Sequence, residues 1–451
     1  MKSTIPTKTL LTRGALTLGL LAAALAVAML SVAGPARAAT TFTVNIALDK
    51  SDANFSDGRC DVDPSALGNQ CTLRAAIEQA DESAGVDAIH FDIPGGSGVR
   101  TIRPTSQLPD ITEAVTIDGY TQPGTKKNTK AVGTDAVLLV ELSGQDAAPF
   151  TIGLVVRASN VVVRGLVIND FNTGVGGGTG IFTEGANTRI EGNFIGTDPS
   201  GTLARFNGGD GVSVSGLNAT VGGATPEARN LISGSGDNGV TLTSFDPDAK
   251  VQGNLIGTKK DGASPLGNGT GLHVSGLNNT IGGTAPGEVN TIAFNGSDGI
   301  RIQAPGTGNR ILGNSIFSNR RLGINLFGGT ENAAGVTAND PKDPDTGANN
   351  LQNFPRLTSV TTASGKITIE GNLNSTPEKT FVLQFFSNPP GGEEGKTFIG
   401  KKSVTTNTNG NARFTFSFAK TVPAGKTVTA TATGPGGNTS EFSAPRTVVA
   451  Q

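Results

Sequence analysis

Short apolar runs of three to five residues alternate with Gly- and Asn-rich turns along residues 180–329, and no helical period appears among them. Runs of β-branched residues bounded by Gly and Asn predict β-strands separated by tight turns. One set of runs opens with a glycine, and its members are spaced 31, 28, 32, 28 and 24 residues apart: Gly180, Gly211, Gly239, Gly271, Gly299 and Gly323. The chain is therefore expected to repeat one structural unit several times.

A longer repeat shows how these units are arranged. Arg189–Thr197 returns as Lys250–Thr258, and the offset from Asn230 to Asn290 is 60 residues, which fits two coils of a solenoid. Equivalent residues on successive coils lie about 4.8 Å apart, so Asn is expected to stack on Asn and Val on Val. The sequence predicts an all-β fold built on a parallel β-helix, right-handed because parallel crossovers are. A β-sandwich or barrel is the alternative, and it would require hairpin turns.

The first 38 residues have the pattern of a signal peptide. Lys2, Lys8 and Arg13 precede an apolar run over 14–32, and Ala36-Arg37-Ala38 provides a small-x-small cleavage site. A retained membrane anchor is the alternative. Cleavage would change the formal net charge from −2 to −6, and the chain offers no basic stripe for nucleic acid. We expect a secreted protein, extracellular or at the cell surface, with the periplasm as a further compartment and no membrane insertion after cleavage.

The two cysteines, Cys60 and Cys71, are expected to form a disulfide, because an exported chain reaches an oxidising compartment. A pair of metal-binding thiols is the alternative, but it lacks nearby histidines. The segment Cys71–Ala80 predicts a helix with one apolar face, made of Leu73, Ala76, Ile77 and Ala80. We expect this helix to cover the first coil of the solenoid, which would otherwise expose its core and strand edges.

The helix also carries a family resemblance. Cys71-Thr-Leu-Arg-Ala-Ala76 resembles the Cys-Ser-Leu-Arg-Glu-Ala signature of the CSLREA domain, and Ala75–Asp81 and Ile117–Gly124 are similar to the same family. Thr72 and Ala75 depart from the signature. The resemblance covers nearly the whole mature chain and implies a secreted bacterial right-handed parallel β-helix protein. It implies no activity, because the family has no settled biochemical function.

Strict alternation of apolar and polar residues returns in the last 100 residues and predicts an immunoglobulin-like β-sandwich. The predicted domain organisation is a signal peptide at 1–38, a CSLREA-like N-terminal cap at 39–88, the parallel β-helix at 89–330, a polar linker at 331–350 and the sandwich at 351–451.

The linker contains the one candidate metal site. Asp340, Asp343 and Asp345 precede Gly347, which loosely resembles the start of a calcium loop, although the later Glu of an EF-hand is missing. The prediction is a structural calcium ion at these three aspartates, with a plain polar linker as the alternative. No other cofactor is expected.

No residue is predicted to be catalytic. Asp210 and Asp298 occupy the same turn three coils apart, roughly 14 Å, beyond the range of about 5 to 9.5 Å that glycosidases use. Asp210 and Asp237 lie on adjacent coils, but we interpret them as solvated turn residues. His273 alternates with apolar neighbours and is expected to point away from the core. Arg320-Arg321 is the densest basic spot and is interpreted as solvated.

The predicted function is that of an exported non-enzymatic protein that presents a binding, adhesive or structural surface to a polysaccharide or cell-surface polymer. The alternative is an extracellular polysaccharide lyase or glycoside hydrolase that acts in a groove along the β-helix. One Tyr and no Trp argue against a specialised sugar site. Three or more acidic and basic side chains converging on one face of adjacent coils would favour the enzyme.

Overall fold

The computed structural model describes residues 39–172, 177–243 and 248–451, so the predicted signal peptide lies outside the described residues. The N-terminal part consists of short strands and one α-helix, α1 (Leu73–Glu82), between the first two strands. These strands are β1 (Thr41–Val44), β2 (Asp87–Phe91), β3 (Arg100–Ile102), β4 (Val115–Asp118), β5 (Val140–Ser143), β6 (Leu154–Val156), β7 (Val162–Arg164), β8 (Leu166–Asn169), β9 (Ile181–Thr183), β10 (Arg189–Glu191), β11 (Phe194–Ile195), β12 (Val212–Val214), β13 (Thr220–Gly222), β14 (Leu231–Ile232), β15 (Asn238–Leu242), β16 (Lys250–Gln252), β17 (Leu255–Ile256), β18 (Thr270–Val274), β19 (Thr280–Gly282), β20 (Thr291–Ala293), β21 (Ile300–Gln303), β22 (Arg310–Leu312), β23 (Ser315–Phe317) and β24 (Ile324–Phe327).

These strands form three parallel sheets, which we call the three-sheet stack. Sheet A has the order β1-β2-β4-β7-β10-β13-β16-β19-β22, sheet B the order β3-β5-β8-β11-β14-β17-β20-β23, and sheet C the order β6-β9-β12-β15-β18-β21-β24. From β4 onwards each coil contributes one strand to each sheet, as β10, β11 and β12 do. The next coil repeats the series with β13, β14 and β15. This arrangement is consistent with a parallel β-helix, and it explains the 60-residue repeat, since β10 and β16 lie two coils apart.

Apolar side chains stack in columns inside the three-sheet stack. One column on sheet A pairs in register through Val163, Ile190, Val221, Val251 and Ile281, all buried. Full burial of such a side chain stabilises the fold by about 1.5–3 kcal/mol. Strands of two to five residues are therefore long enough, because each coil extends columns that already exist.

A column of asparagines lies at the turn between sheets A and B. In the asparagine ladder, the backbone N and Nδ2 of each residue donate to Oδ1 of the next, through Asn193, Asn230, Asn254, Asn290 and Asn314. The ladder satisfies polar groups that are buried away from water. The predicted stacking of Asn on Asn is confirmed.

Another set of predicted turns requires left-handed backbone angles. Asn187, Asn218 and Asn278 have φ angles of 57°, 55° and 53°. Asn adopts this conformation at lower cost than most residues other than Gly, which explains its recurrence before β10, β13 and β19.

The N-terminal end of the stack differs in detail from the prediction. The helix begins at Leu73 instead of Cys71, because Thr72 is its N-cap and accepts a hydrogen bond from Ala75 N at 3.0 Å. It continues to Glu82, beyond the predicted end at Ala80, and the predicted apolar face is buried. β1 pairs with β2 in sheet A, so the stack starts inside the segment predicted as the cap. The predicted Cys60–Cys71 disulfide is present.

The C-terminal part forms two further four-stranded sheets around a separate apolar core. Sheet D has the order β29-β26-β25-β32 and sheet E the order β28-β27-β30-β31, with antiparallel pairing except between β25 and β32. The strands are β25 (Arg356–Ala363), β26 (Lys366–Asn374), β27 (Thr380–Asn388), β28 (Thr397–Thr405), β29 (Asn411–Phe418), β30 (Thr427–Thr433), β31 (Arg446–Thr447) and β32 (Val449–Ala450).

Side chains from this C-terminal part bond to the last coil of the stack. Gln384 Oε1 accepts from Gly313 N at 2.8 Å, Glu394 Oε1 from Asn319 Nδ2 at 2.9 Å, and Glu441 Oε1 from Leu326 N at 2.8 Å. Asn349, in the predicted linker, accepts from Asn309 N at 3.0 Å. These contacts provide the acceptors that a further coil would provide. Within the described ranges, no helix has the length and apolarity needed to cross a bilayer.

Candidate functional site

A row of side chains projects from the outer face of sheet C, one from each of five consecutive coils. The strand register aligns Ser213, Thr241, His273, Arg301 and Asn325, which we call the sheet C row. The neighbours of His273 in β18, Leu272 and Val274, are fully buried, so His273 points outward as predicted. Four coil steps give the row a length of roughly 19 Å.

Two aspartates lie on the turn that precedes sheet C, beside this row. Asp210 is held by Asn238, which donates from Nδ2 at 2.9 Å and from the backbone N at 3.2 Å to Asp210 Oδ1. Asn238 Nδ2 also contacts Thr241 Oγ1 at 3.1 Å. Partial burial raises the pKa of Asp237, and the negative charge of Asp210 raises it further. The two aspartates lie on adjacent coils, because Asp237 immediately precedes Asn238, the hydrogen-bond partner of Asp210.

The basic members of the row have a different environment. Burial lowers the pKa of His273, the positive charge of Arg301 lowers it further, and Asp210 acts in the opposite direction. His273 is therefore mainly neutral at pH 7. The Arg301 guanidinium carbon lies 3.8 Å from the centroid of the Phe327 ring. Arg301 Nε and Asn325 Oδ1 are buried atoms without a hydrogen-bond partner among the described residues, and the Arg301 side chain as a whole is half-buried.

The other candidate catalytic residues have different surroundings. Asp298 is fully buried, and its carboxylate accepts from Leu322 N and Asn325 Nδ2, each at 3.1 Å. It therefore supports the last turn of the stack. Asn238 pairs with Thr270 between Asp210 and Asp298, in agreement with the predicted separation of these two aspartates. Arg320 and Arg321 are exposed at the last coil, outside the sheet C row.

The three linker aspartates converge. Asp340, Asp343 and Asp345 each offer a carboxylate oxygen, and these oxygens lie within 4.8 Å of one another. Burial raises the pKa of Asp343, although hydrogen bonds from Ser375 and Asn353 oppose the shift. Burial and then the charges of the other two aspartates raise the pKa of Asp345 to about 6.

The donor set of this cluster fits a hard cation. Within the described residues, Asp340 Oδ1 and Asp345 Oδ1 are buried atoms with no hydrogen-bond partner. Carboxylate oxygens are the ligands that calcium prefers, and a cation would remove the mutual repulsion that raises the pKa of Asp345. The predicted residues are therefore together, and the calcium ion itself stays a prediction.

A cavity of about 250 Å³ lies between the last coil and the C-terminal sheets. Its walls include Ile324, Val336 and Phe442, together with the carboxyl groups of Glu394 and Glu441. Burial raises the pKa of both glutamates to about 7, against the hydrogen bonds that they accept. This cavity belongs to the junction that ends the stack.

The sheet C row and its two aspartates bring together two kinds of chemical group. The aspartates and His273 can exchange protons, and Arg301 can bind an anion. Arg301 was missed as a member by sequence reasoning, although the signal was present. It follows Gly299 by two positions, as His273 follows Gly271. Comparison of the chain with protein-family models and with curated proteins finds no match.

Proposed function

We propose that this chain is an exported protein that binds an extracellular polysaccharide along the outer face of sheet C. The sheet C row is the observation that supports the proposal, because it aligns one polar side chain per coil, and Ser213, His273 and Arg301 among them are partly exposed. A linear polymer with a regular repeat can contact such a row at several points. The Cys60–Cys71 disulfide indicates an oxidising compartment outside the cytoplasm, which is where such a polymer is found.

The proposed architecture has three finer features. The three-sheet stack is a right-handed parallel β-helix, by the general handedness of parallel crossovers. Sheets D and E form an immunoglobulin-like sandwich, which is supported by their mainly antiparallel pairing around one core. The segment with α1 is a CSLREA-like cap, as the resemblance of Cys71–Ala76 implies. A structural calcium ion at Asp340, Asp343 and Asp345 would stiffen the connection between stack and sandwich.

Polymer binding can be attributed to specific contacts. Arg301 offers a guanidinium that the Phe327 ring supports, and Phe327 is 39% exposed. Its ring can pack against the apolar face of a sugar, while the half-buried Ser213 and His273 offer hydrogen-bonding groups on other coils. The site therefore combines an apolar surface, the Phe327 ring, with polar groups that are spaced by about 4.8 Å per coil.

The test is affinity electrophoresis of residues 39–451 in gels that contain polygalacturonate, alginate, glucuronan or neutral dextran. We expect retardation by at least one polymer. Arg301→Ala should weaken it about tenfold, which corresponds to about 1.4 kcal/mol for a charged hydrogen-bonding group. Arg413→Ala, which removes an exposed arginine on sheet D, serves as the matched control. No retardation in any gel, or equal loss in both variants, would contradict the proposal.

A further inference from the structure

We infer that Asp237 and Asp210 form a hydrolytic pair that cleaves a polysaccharide whose sugars carry carboxylate groups, with Arg301 holding one of those groups. The inference rests on the proposed binding of a polysaccharide to sheet C. It adds a reaction, the residues that perform it and a substrate class. The sequence left this possibility open as an alternative to a non-enzymatic surface.

The placement of the two carboxyl groups supports the pair. Asp210 stands beside Asn238 on the next coil, and Asp237 immediately precedes Asn238. One coil step of about 4.8 Å, together with the offset of one residue, separates the two backbones by roughly 6 Å, which is compatible with the spacing of about 5 to 9.5 Å between glycosidase carboxyl groups. The charge of Asp210 contributes to the raised pKa of Asp237, which agrees with this proximity.

The two groups have unequal surroundings, which assigns their roles. The raised pKa of Asp237 lets this exposed carboxyl keep its proton to higher pH than an ordinary aspartate, so Asp237 is the general acid. The Asp210 carboxylate is oriented by two hydrogen bonds from Asn238. It accepts a proton and is the general base.

The reaction consumes one water molecule and needs no other reactant. Asp237 gives its proton to the glycosidic oxygen as the bond from that oxygen to the anomeric carbon breaks. Water adds its oxygen to the anomeric carbon and gives a proton to Asp210. The products are a new reducing end and a free hydroxyl group on the departing chain. Proton exchange with solvent then returns Asp237 to its acid form and Asp210 to its base form.

Arg301 determines the substrate class. Its side chain is half-buried and forms no salt bridge with a carboxylate of the described residues, and the Phe327 ring lies against the guanidinium. A planar guanidinium binds a carboxylate through paired hydrogen bonds. Arg301 lies two coil steps from the strand that follows Asp237, roughly 10 Å. It therefore contacts a sugar next to the cleaved bond and leaves the bond itself to the aspartates.

The experiment measures binding and cleavage in the same samples. Residues 39–451 are incubated with polygalacturonate, alginate and glucuronan, and with methyl-esterified polygalacturonate, which has the same backbone with its charges masked. Affinity electrophoresis reports binding. A reducing-end assay reports cleavage, and ultraviolet absorbance reports the unsaturated sugars that an elimination reaction would produce.

The expected result is that one uronate polymer is bound and cleaved without unsaturated products. Asp237→Asn should reduce release of reducing ends by about 100-fold or more and leave binding unchanged. Its carboxylate accepts no hydrogen bond from the described residues, so the fold does not depend on it. Arg301→Gln should remove the preference for a charged over an esterified polymer. Asp92→Asn, at an exposed aspartate in the N-terminal part, should change neither readout.

Four results would overturn the inference. Binding without new reducing ends refutes hydrolysis and leaves the proposed binding function intact. Unsaturated products would show that the polymer is cut by elimination, which refutes hydrolysis. Absence of binding to all polymers refutes both the binding function and the hydrolysis. Cleavage that persists unchanged in Asp237→Asn refutes the assigned acid, even if the polymer is cut.

Discussion

Removal of one amide from the asparagine ladder should cost several kcal/mol, although the residue touches no ligand. Asn254 is the middle member and is fully buried. Its Oδ1 accepts from Asn230 N at 3.3 Å and from Asn230 Nδ2 at 2.9 Å. Its Nδ2 donates to Val221 O at 2.9 Å and to Asn290 Oδ1 at 3.0 Å. Each bond joins groups that water cannot reach.

The magnitude follows from the groups that Asn254→Ala leaves behind. Two hydrogens of Asn230 lose their acceptor, and Val221 O loses one donor. A buried polar group without a partner costs about 1–3 kcal/mol, so the free energy of unfolding should fall by about 3–5 kcal/mol. Asn254→Asp keeps the acceptor but places a carboxylate against the oxygens of Val221 and Asn290. Its penalty should therefore increase as the pH rises and the new carboxyl group ionises.

The assay is urea unfolding followed by far-ultraviolet circular dichroism, with amide hydrogen exchange to locate the loss. Exchange should accelerate in the coils that contain Asn230 and Asn290 before it does in sheets D and E. Asn409→Ala, at an exposed turn, is the control and should change stability by no more than about 0.5 kcal/mol. A cost below about 1 kcal/mol for Asn254→Ala would refute the argument that the ladder satisfies otherwise unpaired buried groups.

Four further predictions concern groups outside the ladder. Burial raises the pKa of Glu394 to about 7, so the stability that it contributes is complete below its ordinary pKa of 4.5 and is lost as pH rises through about 7. Glu394→Gln should flatten this dependence in a series of urea midpoints, and an unchanged slope would contradict the prediction. The pKa of Asp345, raised to about 6, implies a similar loss between about 4 and 6 that calcium should prevent. Calcium should therefore raise the melting temperature at pH 7 but not at pH 4, and an equal rise at both would count against the site. The disulfide closes a loop between residues 11 apart in sequence. Its reduction should lower the free energy of unfolding by about 3 kcal/mol in urea. An unchanged urea midpoint after addition of thiol would argue against this stabilisation. Arg229 donates to four main-chain carbonyl oxygens, three of them in the loop at 130–133. Arg229→Lys should therefore expose that loop to trypsin. Equal cleavage of the variant and the original protein would refute this role of Arg229.

The coils could be predicted from the sequence because their signal is local and repeated. A glycine precedes or begins each sheet C strand. Because successive side chains of a strand point to opposite faces, the second residue after that glycine points outward. The same rule places His273 and Arg301 in one row. Sequence reasoning applied the rule to His273 alone, and it interpreted Asp210 and Asp237, on adjacent coils, as solvated turn residues.

The end of the stack could not be predicted in the same way, because the partners belong to no repeat. Gln384 and Glu394 lie on or near strands whose alternation indicates only a sandwich. Glu394 places an acceptor at Asn319 Nδ2, where the next coil would place an asparagine oxygen. Gln384 places one at Gly313 N, whose counterparts in earlier coils bond to main-chain carbonyl oxygens. Nothing in the local sequence of either residue distinguishes this role from that of an exposed polar side chain.

This difference has a physical origin. A coil inside the stack receives its acceptor from a copy of itself, so repetition encodes the contact. The last coil has no following copy, and its unpaired donors would be exposed or unsatisfied unless another part of the chain supplied acceptors. Glu394 supplies such an acceptor with a carboxylate, whereas Gln384 supplies one with an amide. Only the carboxylate titrates. The contact of Glu394 with the last coil should therefore weaken as the pH rises, while the contact of Gln384 with the last coil should not change.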